Sequence, residues 1–123
     1  MTDQLFEAEW ARCAGWLQAA LERAPPTHTL DDVKVEVRCG NAKFWHGRAS
    51  AAITQIEVSP RTKALTVWLA GGDLAELRDE MLPRAEAFAR EQGCRFVAVT
   101  GRPGWARALG YRPLHWTCAK ELT

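Results

Sequence analysis

Ala64-Leu65-Thr66-Val67-Trp68-Leu69-Ala70 runs straight into Gly71-Gly72-Asp73-Leu74, and the reading of this stretch decides the fold. An unbroken apolar run of this kind, rich in Leu, Val and Trp, predicts a strand buried on both faces. The paired glycines break it, and Asp73 stands where a helix N-cap belongs. Beyond it, Leu74, Leu77, Met81, Leu82, Ala85, Phe88 and Ala89 recur at three- and four-residue spacing, which predicts a long amphipathic helix over Leu74–Gln92. Glu76, Asp79, Glu80, Glu86, Arg90 and Glu91 fall on its other side and read as a solvated face. Pro83 lies inside this helix, lacks an N–H and should bend it. Gly93 ends the helix, and Arg95–Thr100 reads as the next strand.

Upstream, Ser59-Pro60-Arg61-Thr62-Lys63 is a tight polar turn, so Ser50–Val58 and Ala64–Ala70 form an antiparallel hairpin. Ile53, Ile56 and Val58 do not alternate cleanly, which predicts a bulge in that strand. Phe44–His46 makes a short strand before the turn at Gly47. A helix over Leu5–Arg23 is capped by Thr2 or Asp3 and stopped by Ala24-Pro25-Pro26. Thr29, followed by Asp31 and Asp32, starts a second helix that Gly40 closes, although the alternation Val33, Val35, Val37 suits a strand equally well. Downstream, Gly101-Arg102-Pro103-Gly104 breaks the chain, Trp105–Leu109 forms a short helix, and Leu114–Lys120 reads as a last strand.

The whole is expected to be one α/β domain over residues 1–123, without repeats or linkers. With 47% hydrophobic residues and a net charge of +1, the chain is too apolar and too neutral for a disordered segment. Sixteen basic against 15 acidic residues give no basic excess for a dedicated nucleic-acid binder. No run is long enough to span a membrane, and the acidic start is no secretory leader, which points to the cytoplasm. Three His and four Cys show no ligand spacing, so no metal is expected. Six Trp are read mainly as core fillers, with one or two available to an interface.

Two places offer chemistry. Amides freed by Gly71 and Gly72 at a helix start form a phosphate site, against which the Asp73 carboxylate competes for the same amides. Arg102, Arg107 and Arg112 interleave with Trp105 and Tyr111, a mixture typical of interface centres and of anion binding.

The order hairpin, glycine turn, long helix, strand, short helix, Leu109-Gly110-Tyr111, final strand resembles the GNAT family of N-acetyltransferases. The wording Trp68-Leu69-Ala70-Gly71-Gly72-Asp73-Leu74, Gly93-Cys94 and Gly101-Arg102-Pro103-Gly104-Trp105-Ala106-Arg107-Ala108-Leu109-Gly110-Tyr111 is similar to small GNAT-like proteins of tailed phages and prophages, over about residues 29–122. The resemblance implies a mixed, mostly antiparallel twisted sheet flanked by helices. It also implies acetyl-CoA as cofactor, with its pyrophosphate on the turn amides through Gly71, Gly72 and Leu74, and Glu57 or His46 as base. The family's turn reads Gln/Arg-x-x-Gly-x-Gly/Ala, whereas this chain has Leu69-Ala70-Gly71-Gly72-Asp73-Leu74. The family's acid, a Tyr four residues before the Gly of Leu-Gly-Phe/Tyr, falls on Ala106, which holds no proton to donate. The expected function is therefore a non-catalytic binding or virion-associated module of a phage or prophage. Its partner would be a protein, such as a phage structural protein, met through Arg102, Trp105, Arg107, Tyr111 and Arg112 in the host cytoplasm or the virion. The alternative is an acetyl-CoA-dependent N-acetyltransferase acting on an amine of a protein or small molecule.

Overall fold

The structure, a computed structural model, describes residues 2–101, 104–115 and 117–122. Helix α1 (Asp3–Glu22) starts on Thr2, whose hydroxyl accepts the Leu5 N–H at 3.2 Å. Its buried residues Phe6, Trp10, Cys13, Leu17 and Leu21 make one stripe, which lies on Ala51, Ile53 and Leu69 of the sheet and on Val33. Val33 belongs to α2 (Leu30–Arg38), where a reciprocal cap settles helix against strand. Thr29 accepts the Asp32 N–H at 3.2 Å, and the Asp32 carboxylate accepts the Thr29 N–H at 2.9 Å.

The sheet has the order β1 (Lys43–His46), β2 (Ser50–Val58), β3 (Lys63–Gly72), β4 (Phe96–Val99). The first two pairings are antiparallel and the third is parallel, so the sheet is mixed and mostly antiparallel, with helices on both faces. β2 is more enclosed than β3: its residues 50–54 are all buried, Ala51 and Ile53 toward α1 and Ala52 toward the opposite layer. The expected bulge exists, and the extra residue is on β3 instead of β2. Ile53 pairs with Leu69 and Thr54 with Val67, leaving Trp68 as the additional residue. Without it Leu65 and Leu69 would share a face; with it Leu65 joins one core layer and Leu69 the other.

The glycines after Trp68 belong to β3, opposite Ser50 and Ala51. A side chain on Gly71 would strike the Trp16 carbonyl of α1, and one on Gly72, whose φ is +103°, would strike the Ala49 carbonyl. Beyond Asp73 the long helix comes in pieces: a single turn α3 (Leu74–Glu76), a π-helical segment Leu77–Met81, and α4 (Leu82–Glu91). The expected bend at Pro83 takes this form. In a regular α-helix the proline ring would press on the carbonyl four residues back, and the widened turn, with the Leu82 N–H donating to Leu77, relieves that contact. Leu77, Met81, Ala85 and Ala89 cover Trp45, Ala52 and Leu65, while Leu74 is exposed.

After β4 comes α5 (Gly104–Leu109). The strand expected over Leu114–Lys120 is not formed: the described residues there are exposed and unassigned to any strand. Pro113 removes an amide just before its start, and the apolar side chains described there, Leu114 and Cys118, are exposed and bury no face against the sheet.

Candidate functional site

The turn after β3 places its polar groups tightly. The Asp73 N–H donates to the Ala49 carbonyl at 2.8 Å, tying the turn to β2. The Asp73 carboxylate accepts the N–H of Ala75 at 2.8 Å and of Glu76 at 3.4 Å. Of the three amides of α3, Leu74's is left without an internal acceptor among the described residues.

Glu76 is the surprise of this region. It was expected on a solvated face, yet it is only 6% exposed. Its carboxylate accepts the N–H of Arg48 at 3.2 Å and of Ala49 at 3.0 Å, and the Ser50 hydroxyl donates to it as well. These bonds, led by the one from Ser50, hold the Glu76 carboxyl below the ordinary carboxylate range against the opposing effect of burial. Arg12 of α1 grips the carbonyl side of the same hairpin turn, donating to Gly47 at 2.7 Å and Arg48 at 3.0 Å. The β1–β2 turn is thus clamped on its amides by a helix from one layer and on its carbonyls by a helix from the other.

This clamp floors an open polar cleft of about 530 Å³, rimmed by Glu80 and Arg84. Arg48 reaches Glu80 at 2.8 Å. His46 lies in the cleft with Nδ1 3.1 Å from Glu9, which Arg12 also engages. Glu57 is elsewhere. It is exposed near the far end of β2, opposite Ala64, whereas His46 pairs with Ala51. Six residues of strand, about 20 Å, separate those two levels, so the two candidate bases do not share a site.

On the other side of β2, the parallel pairing of β3 with β4 stops at Val67 and Val99, although β3 runs on to Gly72. Where the strands part there is an apolar cavity of about 40 Å³, floored by Trp45, Thr54 and Val67 and walled by Met81 and Ala85. Trp105 and Leu109 of α5 line its remaining side. The Trp45 indole N–H donates to Thr54 Oγ1 at 2.8 Å.

No protein-family model matches the chain, and no curated protein does. Solved structures do. A GNAT family acetyltransferase of Staphylococcus aureus superposes with a TM-score of 0.59 at 14% identity, covering 99% of this chain and 95% of that one. A protein of Thermus thermophilus gives 0.61 at 17% identity, covering 94% and 92%. An acetyltransferase of Trypanosoma brucei gives 0.54 at 17%, covering 86% and 88%. The chain has the GNAT fold.

Within the GNAT fold, the residues at the β3 turn fit a diphosphate poorly. Its amides at Ala75 and Glu76 already bond to Asp73, whose negative charge stands where the anion would go. At the position of the family acid, Ala106 offers only its carbonyl, which accepts the Tyr111 N–H at 2.9 Å. Tyr111 itself is half-buried, its hydroxyl donates to Glu86 at 2.7 Å, and burial with that carboxylate pushes the phenol's pKa up.

The arginine–aromatic segment is divided by the fold. Trp105 and Tyr111 are half-buried and turned to the cavity wall and to α4, while Arg107 and Arg112 are exposed. Arg102 lies outside the described residues. Among the described residues no helix is long and apolar enough to cross a membrane, and no group of His, Cys, Asp and Glu is placed to hold a metal ion.

Sequence reasoning missed Glu9, Arg12, Arg48, Ser50 and Glu76. One signal was available: an acid three residues after Asp73 is the capping-box spacing, in which Glu76 would reach back to the Asp73 N–H. That N–H is taken by Ala49, and Glu76 reaches across to the hairpin instead.

Proposed function

We propose that this GNAT-fold chain is a binding module that does not transfer acetyl groups from acetyl-CoA, of the kind found in tailed phages and prophages, with a phage structural protein as partner. The observation that carries this is the Asp73 carboxylate bonded to the amides of Ala75 and Glu76. A diphosphate would have to displace an internal cap and face its charge, so the turn discriminates against it. Ala106 in the acid position and the separation of Glu57 from the turn support the same reading. The exposed guanidinium groups of Arg107 and Arg112 are offered to the protein partner.

A second reading, an N-acetyltransferase, is favoured by one feature: the His46–Glu9 pair at 3.1 Å in an open cleft, where Glu9 would orient the imidazole to take a proton from an amine.

Calorimetric titration with acetyl-CoA separates them. The wild-type chain should bind more weakly than ~1 mM, about −4 kcal/mol. Asp73→Ser, which keeps a cap without the charge, should bind measurably better. A wild-type dissociation constant tighter than ~100 μM, with coenzyme A released when an amine is supplied, would overturn the proposal.

A further inference from the structure

β1 is the end strand of the sheet and, among the described residues, pairs only with β2. Which of its backbone groups are spent follows from the turn. The Gly47 N–H donates to the Ser50 carbonyl at 2.8 Å, and in an antiparallel ladder bonded and non-bonded pairs alternate. Counted back along the register, Trp45 with Ala52 and Lys43 with Thr54 are the bonded pairs. The other side of β2 agrees, because the Asp73 N–H on the Ala49 carbonyl commits Ala51 and Ile53 to β3. The N–H and C=O groups of Phe44 and His46 therefore face outward, where no described strand meets them. Such an edge offers its free backbone groups to an extended chain.

The side chains on either face define what that chain must carry. On the α4 face, Lys43 Nζ lies 5.0 Å from the ring centres of both Trp45 and Phe88, and the Arg84 guanidinium carbon lies 5.9 Å from that of Trp45. Two cations thus share one indole, and neither is ion-paired among the described residues. Glu80, one turn before Arg84, is drawn to Arg48 at 2.8 Å. On the α1 face, Phe44 is half-buried against Phe6 and Trp10. In a strand laid beside β1, residues opposite Lys43 and Trp45 lie on the α4 face and those opposite Phe44 and His46 on the α1 face. We propose that β1 is a docking edge for an extended segment of another protein in which acidic residues alternate with apolar ones. The acids meet Lys43 and Arg84, and an apolar side chain meets Phe44. A second copy of this chain fits the edge badly, since two-fold pairing of β1 with itself brings both sets of cations onto one face. The inference is independent of the acetyl-CoA question, because the β3 turn contributes no group to this edge.

A capped octapeptide of alternating glutamate and valine, titrated into the full chain and followed by amide NMR, is the probe. Saturable shifts should centre on Phe44 and His46, and hydrogen exchange of those two amides should slow, while the Lys43 and Trp45 amides, already bonded to β2, keep their protection. A lysine–valine peptide of the same pattern should bind about tenfold more weakly or worse. Lys43→Glu combined with Arg84→Glu should reverse that order of preference, with the Trp45 amide still protected as proof that β1 remains paired. The glutamate–valine peptide N-methylated throughout keeps its charges and should not bind. Absence of saturable shifts at Phe44 and His46 with millimolar peptide overturns the docking edge. Equal binding of the N-methylated peptide overturns strand addition, and equal binding of the lysine peptide overturns the acidic partner. Protection of the Phe44 and His46 amides that rises with protein concentration alone gives the edge to a second copy and overturns the proposal.

Discussion

Thr54→Val tests the packing between the sheet and the helix run more sharply than any truncation, because it changes shape hardly at all. Thr54 is 1% exposed and Trp45 8%, and the indole N–H has the Thr54 oxygen as its hydrogen-bond acceptor at 2.8 Å. Valine leaves that N–H facing an apolar cavity where water finds no further partners. An orphaned buried donor costs about 1–3 kcal/mol, and the added methyl returns about 0.8 kcal/mol, so the net loss should be about 0.2–2 kcal/mol, centred near 1 kcal/mol. Trp45→Phe removes the donor and part of a large ring, at about 2–4 kcal/mol. In the double variant neither orphan exists, and the loss should fall short of the sum by about 1 kcal/mol or more. Urea unfolding followed by circular dichroism reads this directly: at a slope of roughly 1–2 kcal/mol per molar, Thr54→Val moves the midpoint by about 1 M. A Thr54→Val variant no less stable than the wild type, or additivity of the two changes to within about 0.3 kcal/mol, excludes the orphaned donor.

Other outcomes follow from the same structure. Gly71→Ala sets a methyl against the Trp16 carbonyl and should cost about 1–3 kcal/mol in urea unfolding, whereas Gly15→Ala, with open space around it in mid-helix, should be neutral or stabilising. Thr29→Ala removes one half of a reciprocal cap and should cost about 1 kcal/mol, with the loss of protection confined to α2 in hydrogen exchange. The Glu76 carboxyl has a lower pKa folded than unfolded, so its contribution is complete above the ordinary carboxylate range and is lost as pH falls through the folded value. The unfolding midpoint should accordingly be flat from pH 7 to about 5 and fall below it. Glu76→Gln should flatten that acid limb, and an unchanged limb would remove Glu76 from the account.

How far the sequence reaches can be judged from particular residues. The strand–glycine–helix transition at 70–74 is legible because two independent signals, the end of an apolar run and an aspartate cap, fall together. The Trp68 bulge is not, since in a strand buried on both faces every position is apolar and inserting one residue changes no pattern. Glu76 illustrates the opposite failure. On a helix, an acid beside Asp79 and Glu80 reads as solvated, and only the approach of the hairpin turn from distant sequence turns it inward. The segment 114–120 alternates as a strand would, yet alternation supplies a face, and a strand needs a partner edge and a layer to bury that face. The candidate site divides in the same way. Gly71, Gly72 and Asp73 are adjacent in sequence and therefore found together, while the cleft gathers Glu9, Arg12, His46, Arg48 and Glu80 from three separate elements.

The two glycines that suggested room for a ligand are required by neighbours within the chain: α1 backs onto Gly71, and β2 crowds Gly72. Asp73 then completes the turn with its own carboxylate. The central claim is that the amides of Ala75 and Glu76 are engaged internally and stay so in the presence of cofactor. Two-dimensional amide NMR during titration with millimolar coenzyme A addresses it residue by residue. The account predicts that the Ala75 and Glu76 resonances stay in place in the wild type and move only in Asp73→Ser. Saturable shifts of both resonances in the wild-type chain would contradict it.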